Sequence, residues 1–248
     1  MPVCNGKTAL VTGASRGIGR ATALALAKAG AQVLVHYGHK VDEARAVVEQ
    51  IRAAGGRAEV VGADLSAPDG AHNLAVQVRK IVGERLDILV ANAGISRPAT
   101  IEETSLADFD AQFAVNVRAP FFLVQQLLPI LKDGSSVIFL SSLAARTAVG
   151  DLSAYAATKG AIDTLVTHFA FALGARGVRV NAVAPGVVET DMSSFAKTDA
   201  GRDFTLGMQA LKRVAQPDDV ASAIAFLACD AARWVSGDTL RVDGGSKL

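Results

Sequence analysis

Tyr155 and Lys159 stand four residues apart in "SAYAATKGAIDTLVTHFAFALGA", a segment with helical spacing. That separation puts both on one helix face. A tyrosine beside a lysine cation has its ionised form favoured, so it exchanges a proton nearer neutral pH. Ser142 ends the strand-like run "SSVIFLSS" thirteen residues before Tyr155. A serine hydroxyl beside the tyrosine can hold a carbonyl oxygen. Such a trio is equipment for moving a proton while a nicotinamide moves a hydride. A lysine four positions after a tyrosine also occurs on ordinary solvated helix faces. Yet the chain holds only two tyrosines, and one of them meets this spacing after the serine-ended strand.

A second constellation, "LVTGASRGIGRA", covers residues 10–21 and fits two chemistries. Gly13, Gly17 and Gly19 form a glycine-rich turn of the kind that lets backbone approach a phosphate. The spacing is G-x-x-x-G-x-G rather than the G-x-G-x-x-G usual for dinucleotides. The mechanics are shared: a helix starting near Ile18 aims its first N–H groups at a diphosphate. Gly13 to Gly17 also fits G-x-S-x-G, a nucleophile elbow with Ser15 as the nucleophile. A hydrolase needs an acid and then a histidine later in the chain, and His168 falls inside a helical pattern. No HGGG-type oxyanion segment occurs. The nucleotide reading is therefore favoured, with a serine hydrolase as the remote alternative.

The elements that position these residues follow from periodicity. Short β-branched runs ("KTALVTG", "AQVLVHY", "AEVVGADL", "LDILVANAG", "SSVIFLSS", "VRVNAVAPG", "DTLRVDGG") alternate with helical patterns. The helices are expected near 18–29, 42–55, 70–82, 105–131, 153–175 and 216–230, the last with Pro217 in its first turn. Repeated β-α-β alternation implies a parallel sheet with both faces covered. The fold class is α/β, a single-domain doubly wound (Rossmann-type) sheet of about seven strands spanning residues 1–248. The longest irregular stretch, about 187–212, reads as a substrate lid.

Composition narrows the classes. Half of the 248 residues are hydrophobic, enough for a large core. Lys+Arg 25 against Asp+Glu 24 leaves +1, which argues against a nucleic-acid binder. Cys4 and Cys229 are far apart and outside any C-x-x-C, so neither a disulfide nor a zinc site is expected, and Cys229 reads as a small core residue. No metal site is expected. No secretory signal or membrane-length apolar run is found, which suggests a cytoplasmic protein. The terminal "SKL" reads as a chance ending, or as a peroxisomal address in a eukaryote.

With these residues in hand, the sequence closely resembles the short-chain dehydrogenase/reductase family over nearly its whole length. "TGASRGIG" (12–19) is similar to the family's T-G-x-x-x-G-x-G turn. "ANAG" (91–94) resembles its N-A-G motif, with Ala91 where a second Asn is common. Asn116, Ser142, Tyr155 and Lys159 match the catalytic tetrad. Pro185-Gly186 with Thr190 resembles P-G-x-x-x-T, and "DGG" (243–245) matches the usual ending.

The resemblance implies roles. Tyr155 is the general acid for reduction and the base for oxidation. Lys159 binds the nicotinamide ribose, Ser142 orients the substrate oxygen, and Asn116 supports a relay water unless it is a plain helix-bend bond. Gly13, Ser15, Arg16, Gly17, Ile18 and Gly19 meet the phosphates. Asp64 and Leu65 meet the adenine, although Asp64 also suits a simple turn. Asn92, Ala93 and Gly94 line the ribose side, and Pro185, Gly186, Val188 and Thr190 hold the nicotinamide. Leu143, Ala144, Leu152, Val187, Met192 and Phe195 line the substrate pocket or the core. Arg176 and Lys132 are the candidates for docking an acidic acyl carrier protein.

An NAD-type site carries an acid at the end of the second strand. That place falls near His36, and no acid occurs between Ala31 and Val41. Arg16 suits a 2′-phosphate, with His36, His39 or Lys40 adding positive charge. NADP(H) is expected over NAD(H). A small carbonyl or alcohol is the expected partner, with a homotetramer formed through the helices near 105–131 and 153–175. The competing class is a degenerate NADP(H) sensor, which the complete tetrad argues against.

Overall fold

The computed structural model describes residues 3–246. Seven strands alternate with helices: β1 (Thr8–Val11), α1 (Gly17–Lys28), β2 (Gln32–Tyr37), α2 (Val41–Ala53), β3 (Arg57–Gly62), α3 (Gly70–Val82) and β4 (Leu86–Ala91) form the first half. The second half holds α4 (Leu106–Phe113), α5 (Ala119–Leu127), β5 (Leu131–Leu140), α6 (Ser153–Gly174), β6 (Arg179–Pro185), α7 (Asp199–Met208), α8 (Pro217–Ala228) and β7 (Thr239–Val242). The sheet is parallel throughout, in the order β3-β2-β1-β4-β5-β6-β7.

Alternation along each strand divides the core. Val11, Val33, Val35, Ile88 and Val90 face one layer, with Leu26 of α1, Ile51 of α2 and Ile224 of α8. Leu10, Leu34, Leu89 and Phe139 face the other, with Leu74 of α3, Leu123 of α5 and Val166 of α6. Two covered faces are why the strands read as unbroken apolar runs. The strand order reverses between β1 and β4, so a crevice opens beyond the carboxyl ends of those two strands.

Several expectations are corrected. The continuous helix over 105–131 is broken: a π-helical turn, Ala114–Arg118, separates α4 from α5, and β5 already begins at Leu131. The pairing of β4 with β5 jumps from Leu86↔Leu131 to Ile88↔Ser136, and exposed Lys132–Gly134 bulge out between. The stretch 187–212 is largely helical, with a 3-10 segment Asp191–Lys197 and then α7, whose N-cap Thr198 accepts from Gly201 N.

Cys4 and Cys229 form a disulfide with Cα atoms 5.9 Å apart, although 225 residues separate them. Cys4 N donates to Ala29 O (2.8 Å) at the end of α1, and Cys229 caps α8, which packs along α1. Cys229 is indeed buried, but as half of a crosslink. Among the described residues no helix is long and apolar enough to cross a membrane. Lys247 and Leu248 of the terminal "SKL" lie outside them.

Candidate active site

The glycine turn leaves β1 at the reversal point. Gly13 and Gly17 have φ of +63° and +54°, the left-handed region that other residues enter at a cost. Gly19 has no such φ. Its reason is space: a Cβ there would run into Gly13 O and the Asn92 side chain. Asn92 Nδ2 donates to Thr12 O (2.8 Å) and Gly13 O (3.2 Å), and Ala93 N donates to Thr12 Oγ1 (2.9 Å). The end of β4 therefore clamps the turn. The N-cap of α1, Arg16, makes no side-chain cap bond, and no acid lies in the first turn. Those first N–H groups and the helix dipole suit an anion.

His36 corrects the expectation of a cation at this place. It is 2% exposed, and Gly13 N donates to its Nδ1 at 3.0 Å. The opposite nitrogen, Nε2, must then carry the proton, and it donates to Ala63 O at 3.0 Å. Burial pushes the imidazole down to about 4, with the Ala63 carbonyl opposing weakly, so it is neutral at physiological pH. His36 is an internal clamp on the turn and adds no charge for a phosphate. The residue at the strand end is Tyr37, whose ring lies against Gly62, a position where any Cβ would collide with it. His39 and Lys40 are exposed, and Lys40 pairs with Glu43 at 3.3 Å. Arg16 is more than half exposed and reaches Asp191 across the crevice at 3.4 Å.

Asp64 makes the simple turn: its Oδ1 accepts from Ser66 Oγ (2.7 Å) and Ser66 N (2.9 Å), bonds that hold its carboxyl below the usual range. Leu65 beside it is buried. Thr190 stands opposite Gly17, where a Cβ would come within 3.5 Å of its methyl group. A cavity of about 380 Å³ opens there, lined by Gly17, Arg20, Thr190, Asp191 and Lys197 among others. Gly186 packs against Asp243, the first residue of "DGG", and Val188 bridges to Ala215.

The candidate catalytic residues lie close together at the same end of the sheet. A Cβ on Gly94 would stand 3.2 Å from Asn116 Oδ1 and 3.7 Å from Lys159 Nζ. Lys159 is 4% exposed, lies 5.5 Å from the centre of the Tyr155 ring, and donates to Leu140 O at 2.7 Å. Ser142 follows β5, and its Oγ accepts from Ala144 N at 3.2 Å.

The electrostatics reverse the expectation for Tyr155. Burial of its hydroxyl end pushes the phenol up to about 12, and the Ser142 side chain opposes by less, although the residue as a whole keeps partial exposure. Burial also pushes Lys159 down to about 8, against the pull of Asp163. Desolvation of both charges outweighs their proximity. Tyr155 is protonated at neutral pH, the form that gives a proton.

Asn116 sits in the π turn with its side chain fully engaged. Oδ1 accepts from Ile95 N (2.9 Å), and Nδ2 donates to Ile95 O (2.9 Å) and Thr158 Oγ1 (3.1 Å). Thr158 Oγ1 donates in turn to Tyr155 O at 2.6 Å. Both Asn116 amide hydrogens are thus spent within the fold, tying the π turn to residue 95 and to α6. Thr158 was missed by sequence reasoning, although its place three residues after Tyr155 on the same helix was a signal.

Two other expectations move. Arg176 donates to Leu128 O (2.5 Å) and Leu131 O (3.3 Å), at the start of β5. It and Lys132 lie at the amino edge of the sheet, opposite Ser142, and form no basic mouth for the pocket. The Ser15 hydroxyl makes no hydrogen bond to an imidazole among the described residues; both His36 nitrogens are bonded elsewhere, and His168 lies exposed on α6. Of the pocket candidates, Leu143 and Ala144 are buried, Leu152 and Val187 half-buried, and Met192 and Phe195 exposed.

The chain is similar to known proteins over nearly its whole length. A family model described as enoyl-(acyl carrier protein) reductase matches residues 13–247. Versicolorin reductase 1 of Aspergillus parasiticus is 39% identical over 254 residues, covering 98% of this chain and 97% of that one. The solved angucycline C-6 ketoreductase LanV with bound NADP is 41% identical with a TM-score of 0.93, covering 98% and 96% of the two chains. A short-chain dehydrogenase from Burkholderia cenocepacia J2315 in complex with NADP is 38% identical with a TM-score of 0.94, covering 98% and 99%.

Proposed function

Because the chain belongs to the short-chain dehydrogenase/reductase family, an oxidoreductase family acting on CH–OH and carbonyl groups, we propose that it is an NADPH-dependent ketone reductase with Tyr155 as proton donor. The observation that carries this reading is the meeting of Tyr155 and Lys159, Nζ 5.5 Å from the ring centre, beyond the strand that Ser142 follows, with burial favouring the protonated phenol. NADPH, when bound, supplies the hydride. The glycine turn and the open start of α1 suit its diphosphate, and Thr190 faces that turn. Ser142 holds the substrate carbonyl against the Tyr155 hydroxyl, which gives its proton to the forming alkoxide. Lys159, lying 5.5 Å from the ring, lowers the cost of the phenolate left behind.

Preference for NADPH over NADH is part of the proposal. The strand end carries no acid to repel a 2′-phosphate, and Arg16, His39 and Lys40 are exposed around it. The relatives with bound NADP support the same choice, and the similarity to a ketoreductase supports the substrate class. The segment 187–212 is the proposed lid, its exposed Met192 and Phe195 offering apolar surface to a substrate. A homotetramer is proposed from exposed Phe109, Phe122 and Phe171 on α4, α5 and α6; light scattering that shows a monomer at micromolar concentration rejects it.

The test of function is NADPH absorbance with a panel of ketones, and with alcohols and NADP in reverse. Consumption of NADPH with at least one ketone is expected. Tight NADPH binding without turnover on any of them marks a cofactor sensor instead.

A further inference from the structure

α4 is an eight-residue helix, and its only fully buried side chain is polar: Gln112, at 0% exposure. Its Oε1 accepts from Arg97 N at 3.1 Å. That bond fixes the amide's orientation, because an N–H needs an oxygen opposite it. Nε2 then points the other way, buried and without a partner among the described residues. Buried amide hydrogens are almost always satisfied, so an orphan of this kind calls for an ordered water.

The bond to Arg97 is one rung of a ladder. Four residues along the chain, Asn116 grips Ile95 through both its N–H and its C=O. Ala99 N then donates to Asp151 O at 2.9 Å, just before α6. Residues 95, 97 and 99 are therefore held at alternate positions, as in a strand. The held segment begins at the residue after Gly94, which lies between Asn116 and Lys159. Arg97 is also steered through its side chain, 3.8 Å from Asp108 one turn earlier on α4.

We infer that Gln112 is a positioning residue for the reaction: it sets the 95–97 wall beside the catalytic groups, with Oε1 on Arg97 and Nε2 on a buried water. Gln112 touches neither substrate nor cofactor. It acts through the register of the wall, so its loss shows in how the carbonyl substrate is placed. The cofactor turn, clamped by Asn92 and His36, is held independently of it.

The inference rests on the ketone-reductase reading, and the experiment separates the two. Wild-type turnover is measured first; no turnover with any ketone fails that reading and leaves nothing for Gln112 to position. Given turnover, Gln112→Met and Gln112→Glu are compared in the full chain. Methionine fills the space and removes both bonds. Glutamate keeps the acceptor for Arg97 N and removes the amide donor. KM for the ketone should rise about tenfold in Gln112→Met, the effect of about one hydrogen bond. It should rise about threefold in Gln112→Glu. The NADPH dissociation constant should stay within about twofold of wild type in both, a change too small to count as a lost contact. Should Gln112→Met fail to fold, Gln112→Leu, which also removes both bonds, takes its place in the comparison. Wild-type KM in Gln112→Glu overturns the donor role. Wild-type KM in both, or a loss of NADPH affinity as large as the rise in KM, overturns the positioning role.

Discussion

Acid should loosen the cofactor turn through His36. The imidazole is neutral and buried, with Gly13 N–H on one nitrogen and Ala63 C=O on the other. Its folded pKa is lowered from 6.5 to about 4, chiefly by burial. As pH falls through 6.5, the unfolded chain takes up this proton while the folded chain does not. Stability therefore falls with falling pH across that window. The contribution is fully present above 6.5 and gone below about 4. The difference of 2.5 units (6.5 − 4) corresponds to about 3 kcal/mol at 1.36 kcal/mol per unit, a large part of a typical domain's stability.

Urea unfolding at a series of pH values, for wild type and His36→Asn, isolates the effect. Asparagine places Oδ1 where Nδ1 stood, so Gly13 N keeps an acceptor, and the residue no longer titrates. Ala63 O loses its donor, which costs about 1–3 kcal/mol at neutral pH. The variant should start lower, and wild type should converge on it as pH drops to about 4.5. Acidic groups such as Asp64 and Asp219, held below the usual carboxylate range, titrate in both proteins and cancel in the comparison. Parallel pH dependences would refute a buried neutral imidazole. NADPH affinity should follow stability downward, since the clamp sits under the phosphate turn.

Other substitutions test the rest of the site. Tyr155→Phe should lose about 10²–10⁴-fold in kcat while still binding NADPH, because only the hydroxyl goes; near wild-type turnover would remove Tyr155 from the mechanism. Arg16→Ala should weaken NADPH binding by about 1.5–3 kcal/mol with little effect on NADH, as measured by fluorescence titration; an equal loss for both cofactors would place Arg16 elsewhere. Gly19→Ala should lower stability by about 1–3 kcal/mol and cut NADPH affinity, since its Cβ displaces Gly13 O and the Asn92 clamp; an unchanged melting temperature would contradict that packing. Ser15→Ala should leave turnover nearly intact, whereas complete loss with normal NADPH binding would restore the nucleophile reading.

Local pattern alone determined the scaffold. Strands covered on both faces are apolar on consecutive positions, so the seven were legible as short β-branched runs even where edge strands carry Arg57, Glu59 or Arg241, and the helix over 70–82 has the bounds that its spacing suggests. The site motifs were legible for the same reason, since each glycine, serine, tyrosine and lysine sits within a few residues of an element boundary. Even the helix in the 187–212 stretch carried a local signal, Thr198 as N-cap, that polar composition obscured. What only the tertiary structure decided involves partners distant in the chain. The π turn that interrupts the helix after Phe113 holds Asn116, bonded to Ile95 and Thr158, and a window on that helix contains neither. Cys4 meets Cys229 because α1 packs on α8. His36 alternates like any strand residue, yet Gly13 and Ala63, 23 and 27 residues away, decide its tautomer and its neutrality. For Tyr155, i,i+4 spacing correctly supplies a neighbouring lysine. The sign of the pKa shift depends on how much water the folded chain removes from both groups, a property of the whole packed edge of the sheet.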